Sequence, residues 1–318
     1  MRLIYLVFFL FGFSTSILSQ SEETYLKKVS DTILSASRTL KVTDPFNAEK
    51  TTQKLFPGKI FHYPDKNTFI NWICKTCKSE TYLDVNEING DQSFPYSEGV
   101  ATRILENIDY SDSKGNQFKL LFFNHSIGDE DGSQVSRFTG GLLGLAKFAK
   151  NGNSWEMKSF QPAITAFGSF SQSPKPKLVQ IGEDQYAFTI RHSNGGPGAP
   201  YYGYLCLIAG FDGKYQPLMT VDYYSLSNSP NSDWSSSYTI VTDNGKKFFR
   251  DFIITTSGTY RKPKNTEDDY EVEVPEEIAA MAKTKKEFDF VIEKRFSFKG
   301  KKYTLVGKPA VKFSKIKQ

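Results

Sequence analysis

Residues 101–123, "ATRILENIDYSDSKGNQFKLLFF", decide the fold. Two runs rich in β-branched and aromatic residues flank a polar bend containing Gly115 and Asn116. That order reads as strand, turn, strand, an antiparallel hairpin. Glycine in the bend supplies the positive φ that a tight reversal demands.

The same signature recurs downstream. It appears as "LLGLAKFAKNGNSWEMKSF" (142–160), "KLVQIGEDQYAFTIRH" (177–192) and "YGYLCLIAGFDGKYQPLMTVDYY" (202–224). It appears again as "SYTIVTDNGKKFFRDFIITT" (237–256) and "FDFVIEKRFSFKGKKYTLVGK" (288–308). Six hairpins make an all-β body, mainly antiparallel meander, with propeller-like or sandwich packing. Alternate turn glycines Gly115, Gly182 and Gly245 are 67 and 63 residues apart, so hairpins repeat in pairs. The strand ends "NHSIG" and "RHSNG" echo each other as well.

Outside the hairpins the pattern is less regular. Tyr25, Leu26, Val29, Ile33, Leu34 and Leu40 fall at helical spacing, which predicts an N-terminal amphipathic helix. "KIFHY" (59–63) and "TYLDV" (81–85) read as short strands, and Asn67 as the cap of a short helix through Cys77. "PEEIAAMAKTKKEF" (275–288) predicts a helix near 275–286, with acids at its positive end and lysines at its negative end.

The first residues, "MRLIYLVFFLFGFSTSILSQ", place one cation before an apolar run and a small polar stretch. That is the layout of a secretory leader, and the run is too short to span a bilayer. The expected organisation is a signal peptide over 1–19 and a mixed segment over 20–100. A β body follows over 101–318, with an acidic insert over 264–286. The expected location is therefore exported, periplasmic or secreted, without a transmembrane anchor after cleavage. In that compartment the Cys74–Cys77 pair is expected to close as a disulfide. Cys206, inside an apolar run, reads as a buried free thiol.

From Lys283 to Gln318 twelve Lys/Arg face three acids, a local charge of 12 − 3 = +9. Export argues against nucleic acid as the partner and for lysines on the solvent side of strands. "DVNEINGD" (84–91) resembles an Asp/Asn-rich calcium loop, but Ile88 occupies a ligand position. "GDEDGS" (128–133) is likewise incomplete, so calcium is the one cofactor the sequence raises and none is expected.

Three connections carry binding character. "HSIGDEDGSQ" (125–134) offers His125, Asp129 and Asp131. "RHSNGGPGAPYYGY" (191–204) offers His192, Tyr201 and Tyr202. "DYYSLSNSPNSDWSSSY" (222–238) offers Tyr223, Tyr224, Trp234 and Tyr238. Flat rings amid Ser, Gly and Asn have the composition of a recognition surface. The expectation is a non-catalytic module for a glycan, peptide or envelope protein. A hydrolase using the His/Asp groups and a structural envelope component are the alternatives. No Gly-x-Ser-x-Gly elbow, His-Glu-x-x-His motif or phosphate loop is present.

Overall fold

A computed structural model of the chain describes residues 25–63, 68–86, 92–128, 134, 137–194, 202–224, 232–242, 245–262 and 274–318. Each sequence hairpin is a paired antiparallel ladder. The first two form one meander: β1 (Val100–Ser111), β2 (Gln117–Ile127), β3 (Gly141–Asn151) and β4 (Ser154–Gln161). The next two form a second: β5 (Lys177–Gly182), β6 (Gln185–Asn194), β7 (Tyr202–Phe211) and β8 (Lys214–Asp222). The third comprises β9 (Asp233–Ile240), β10 (Phe252–Arg261), β11 (Glu287–Lys299) and β12 (Lys302–Leu305). Strand β13 (Ala310–Lys317) also pairs with β11. The repeat read from the glycine spacing is thus a four-strand unit.

The alternation of side chains stacks these units. Even-numbered Leu120 and Phe122 of β2 meet Phe188 and Ile190 of β6 and Cys206 and Ile208 of β7 in one apolar layer. The rings of Phe122 and Phe188 meet edge to face at 4.8 Å. On the other face of the second meander, Leu205 and Leu207 pack with Phe252, Ile254 and Phe296 of the third. Fully burying one such side chain contributes about 2 kcal/mol. The third meander buries one face only, even-numbered in β9–β11 and carrying Tyr303 in β12. Its far half, around Phe288 and Phe290, is covered by the helix Glu276–Thr284 through Ile278 and Ala282.

The outer face of the first meander, carrying Leu121, Phe123 and Phe148, is covered by the N-terminal segment. That segment adds four short strands to the first sheet, and Ala166–Phe167 brings it to nine. Two expectations fail there. Lys27–Lys28 is a strand parallel to Thr68–Ile73, and Asp31–Leu34 is a single 3-10 turn capped by Ser30. No α-helix forms among the described residues 25–40, because Ser30, Ser35 and Ser37 bond to local groups instead of continuing a helix. Thr68–Ile73, expected to be helical, is a strand held between Lys59–His62 and Val100–Thr102. Its Thr, Phe, Ile and Trp suit a pleated ribbon better than a helix. The helix of this region is instead Ala48–Leu55, capped by Asn47. Just beyond the misread strand, Cys74 and Cys77 form a disulfide. Cys206 is free and buried, and burial raises its thiol pKa to about 11.

The tight turns share one pole. Asp184 accepts from the backbone and hydroxyl of Ser113, joining the β1–β2 and β5–β6 turns. Glu183 N donates to Lys247 O, and Arg250 N to Ile181 O, joining the β9–β10 turn. Phe249 stacks on Phe298 at 4.0 Å, with Phe211 against both. One turn differs from expectation. Gly182 does not take positive φ; Asp184 does, at 52°. Gly182 is required for another reason, since a Cβ there would lie 2.8 Å from Lys247 O.

Candidate functional site

With the short turns at one pole, the longer connections leave the opposite ends of the strands. There the segment Ala166–Pro174, between the first and second meanders, makes an unusual reversal. Ala166 and Phe167 pair with Leu142 and Gly141 of β3. Gln172 N then donates to Ser169 O across a turn whose central residues, Phe170 and Ser171, have φ of 52° and 53°. Asn-Gly normally fills this mirror-image turn. For other residues the left-handed region costs about 1–2 kcal/mol each.

Buried side chains hold the turn. Asn124 is 3 % exposed; its Nδ2 donates to Ser171 O at 2.9 Å and its Oδ1 accepts from Ser173 N at 2.7 Å. Gln134 Nε2 donates to the same carbonyl, and Ser171 N donates to Thr139 O. The clamp requires Gly141, where a Cβ would lie 1.9 Å from Asn124 Oδ1. Asp84, also buried, accepts from Gly140 N, Asn86 N and Asn86 Nδ2, and the Asn86 amide reaches Gly168 O.

The turn exposes Phe170, at 47 %, and contributes to two pockets, Phe170 to one and Ser171 to the other. One, of about 450 Å³, is lined by Gln134, Ser169, Phe170, Gln172, Ser173 and Ser193 among others. The second, of about 330 Å³, is lined by Tyr82, Gln92, Tyr96, Ser126, Thr139 and Ser171 with Ile127. Among the described residues neither lining includes a charged side chain. Tyr82 and Tyr96 share a hydroxyl contact of 3.0 Å, and burial raises the pKa of both. Ser126 Oγ accepts from the Arg103 guanidinium at 2.9 Å. Ile127 and Phe138 are also half exposed on this rim. A larger cleft, about 810 Å³, runs beside Cys77 and under Leu34, Phe94 and Phe160, with Asp31, Lys78, Glu80 and Lys214 on its walls.

The two candidate histidines are interior groups. His125 is fully buried against Phe56, Trp72 and Phe94. Burial lowers its pKa to about 3 despite the nearby Pro162 carbonyl, toward which Nε2 makes no hydrogen bond of ordinary geometry. Its Nδ1 contacts the Thr102 hydroxyl at 2.9 Å. His192 accepts from Gly168 N through Nδ1 at 2.8 Å, and burial lowers its pKa against the pull of Asp84. The echoed strand ends occupy equivalent places, since each ring points away from the following meander. That puts them on opposite sides of the first sheet, so they form no common site. Asp129, Asp131 and Tyr201 lie outside the described residues, as does the side chain of Tyr202 in β7.

The remaining aromatic candidates face inward. Tyr223 is 1 % exposed beneath the Arg191 guanidinium, and Trp234 is 3 % exposed against Tyr224 and Phe290. Tyr238 is half buried against Phe252, its hydroxyl 3.4 Å from Thr189 Oγ1. The reason is local: 233–240 continues as β9, whose even positions are core. Tyr224 N and O bond Ser236, which keeps that ring inside too. The residues that build the rim, Asn124, Gly141, Phe170 and Ser171, were missed. "GSFSQSP" (168–174), a lone ring amid Gly, Ser and Pro, was the available signal. Asp84, from the calcium-like stretch, is instead a backbone anchor. Among the described residues no three metal-ligating side chains come together.

Comparison of the chain with protein-family models, curated proteins and solved structures finds no match.

Proposed function

We propose that the protein is an exported, non-catalytic binding module whose loop rim takes a neutral glycan. The observation that carries this reading is the Phe170–Ser171 turn, fixed at a conformational cost beside two pockets whose described lining carries no charge. Strain that the surroundings over-determine points to a preorganised ligand contact. A sugar presents apolar C–H faces and many hydroxyls. A half-exposed ring suits the former, and the Gln, Ser, Thr and Tyr groups of the pockets suit the latter. A charged ligand would meet no countercharge among the described lining residues. His125 and His192 are enclosed, and burial lowers the pKa of both, which speaks against either one acting as a general base at this rim. The disulfide, and the lack of any helix long and apolar enough to cross a membrane among the described residues, support export.

The test is titration calorimetry of the mature chain against a panel of neutral and acidic oligosaccharides. Phe170→Ala should weaken the best neutral ligand about tenfold while lowering the Tm only slightly, because about half of this side chain is in water. Equal affinity for wild type and Phe170→Ala, or binding confined to acidic sugars, overturns the reading.

A further inference from the structure

The opposite pole has a different chemistry. Its β9–β10 turn holds Phe249 at a φ of 48° so that the ring stacks inward on Phe298. The adjacent Phe248 is thereby turned outward, and at 58 % exposure it is the most exposed large apolar side chain among the described residues. Tyr303 OH donates to Arg250 O, and Lys246 Nζ donates to Ser297, so this turn is fastened to the β11–β12 hairpin. That hairpin and the chain after it expose Lys299, Lys301, Lys302 and Lys308. Leu305 and Val306, 42 % and 40 % exposed, lie between them in sequence.

The ion pairs divide the lysine-rich C-terminal region. Towards the loop rim, Lys294 pairs with Glu277, Lys315 with Asp289 and Lys317 with Glu287. At the pole, Asp251 is taken by Lys246 and Arg295. Lys299, Lys301, Lys302 and Lys308 make no ion pair among the described residues. Lys283, Lys285, Lys286 and Lys312, nearer the other end of β11, make none either; what distinguishes the pole is that its four exposed lysines accompany protruding apolar side chains.

We propose that this turn pole docks on the surface of an anionic lipid bilayer, with Phe248 entering the headgroup region and the lysines meeting lipid phosphates. Charge complementarity selects an anionic surface. The apolar side chains select lipid over a soluble polyanion, which gains nothing from an exposed Phe, Leu and Val. The pole would hold the module on the envelope while the glycan rim, at the other end of the strands, faces away. The two sites share no residue, so either can exist without the other.

Vesicle co-sedimentation of the mature chain tests this. The probes are phosphatidylcholine vesicles, alone and with about one third phosphatidylglycerol. Binding should require phosphatidylglycerol and fall steeply between about 0.1 and 0.5 M NaCl. Each lysine reversed among Lys299→Glu, Lys301→Glu and Lys302→Glu should weaken partitioning at least about fivefold. Phe248→Ser should weaken it about tenfold, and Phe170→Ala should leave it unchanged. These substitutions are on exposed side chains, and an unchanged Tm confirms that folding is intact. Failure to bind phosphatidylglycerol vesicles overturns the proposal. So does binding to heparin or DNA as tight as to vesicles and equally indifferent to Phe248→Ser. Loss of glycan binding by Phe170→Ala with vesicle binding intact separates this test from that of the rim.

Discussion

The two ends of the strand stack solve one mechanical problem in different ways. Each presents an exposed phenylalanine from a turn with a non-glycine residue at positive φ. At the loop rim, buried amides pay for that backbone: Asn124 and Gln134 grip Ser171, and His192 accepts from Gly168. At the turn pole, ring stacking holds it, Phe249 on Phe298 with planes 11° apart. The described residues that line the rim pockets carry no charge, whereas the pole exposes Lys299, Lys301, Lys302 and Lys308. Directional hydrogen bonds fix a backbone to fractions of an ångström, which suits reading hydroxyls. Stacked rings hold a loop firmly but tolerate sliding, which suffices for a surface contact. The two ends should therefore fail under different insults.

The largest effect is expected from Gly141→Ala. Its Cβ would sit 1.9 Å from Asn124 Oδ1 and 2.3 Å from Ser173 N, so the clamp must open or the strand must shift. Opening it strands buried amide groups, and the combined cost is about 3 kcal/mol or more. Urea unfolding measures that loss. Glycan affinity should disappear, whereas phosphatidylglycerol binding should persist in the folded fraction. A Gly141→Ala protein with wild-type stability would show that Asn124 does not hold the rim.

Acid comes next, and it separates the ends without mutation. A buried histidine whose folded pKa is depressed contributes full stability above its unfolded pKa near 6.5. That stability is lost as the pH falls below this value, because the unfolded state gains the proton first. His125, at about 3 when folded, thus costs about 1.4 kcal/mol per pH unit over this window, or about 2 kcal/mol by pH 5. His192 is shifted the same way, and its protonation also removes the acceptor for Gly168 N. The pole carries a carboxylate instead. Burial would raise the pKa of Asp251, but hydrogen bonds from Lys246, Arg295 and Ser297 outweigh it and hold it at about 2. Its contribution is present above about 3.9 and is lost only as the pH falls towards 2. Hydrogen exchange at pH 5 should therefore show Gly168 opening before Phe252 and Arg295. Equal protection at both ends would remove the distinction.

The poles also differ in how much of them the residues announce. Gly115, Gly152, Gly213 and Gly300 mark tight turns by a local rule, and all four take positive φ. Strand alternation is equally local, which is why the six hairpins were legible. The Phe170–Ser171 turn obeys no local rule. It exists because Asn124 and Gln134, 47 and 37 residues away from Ser171 in sequence, bond the same carbonyl. Phe249 takes its φ because of Phe298, another distant partner. The N-terminal helix failed for a related reason, since parallel pairing with Trp72 and Ile73 outweighed a helical spacing of apolar residues. Composition misled at Tyr223, Tyr224 and Trp234. Ser- and Asn-rich flanks looked like a surface loop, yet β9 pairing turns those rings inward.

The smallest expected effect has the opposite sign. Ser171→Gly removes the Cβ that makes a φ of 53° unfavourable, while its carbonyl and N–H bonds stay in place. Glycine also loses more entropy on folding, so the net gain should be below about 1 kcal/mol. If the rim is strained for function, the gain comes at a cost. A glycine at the turn centre lets Phe170 sample more positions in the free protein, and neutral glycan affinity should fall a few-fold although no contact is lost. Vesicle binding should not change. Thermal unfolding and calorimetry on the same variant decide the matter, because stability and affinity must move in opposite directions. A Ser171→Gly protein that is both less stable and unchanged in affinity would mean that the turn rests at ease, and that Phe170 is exposed for no reason of recognition.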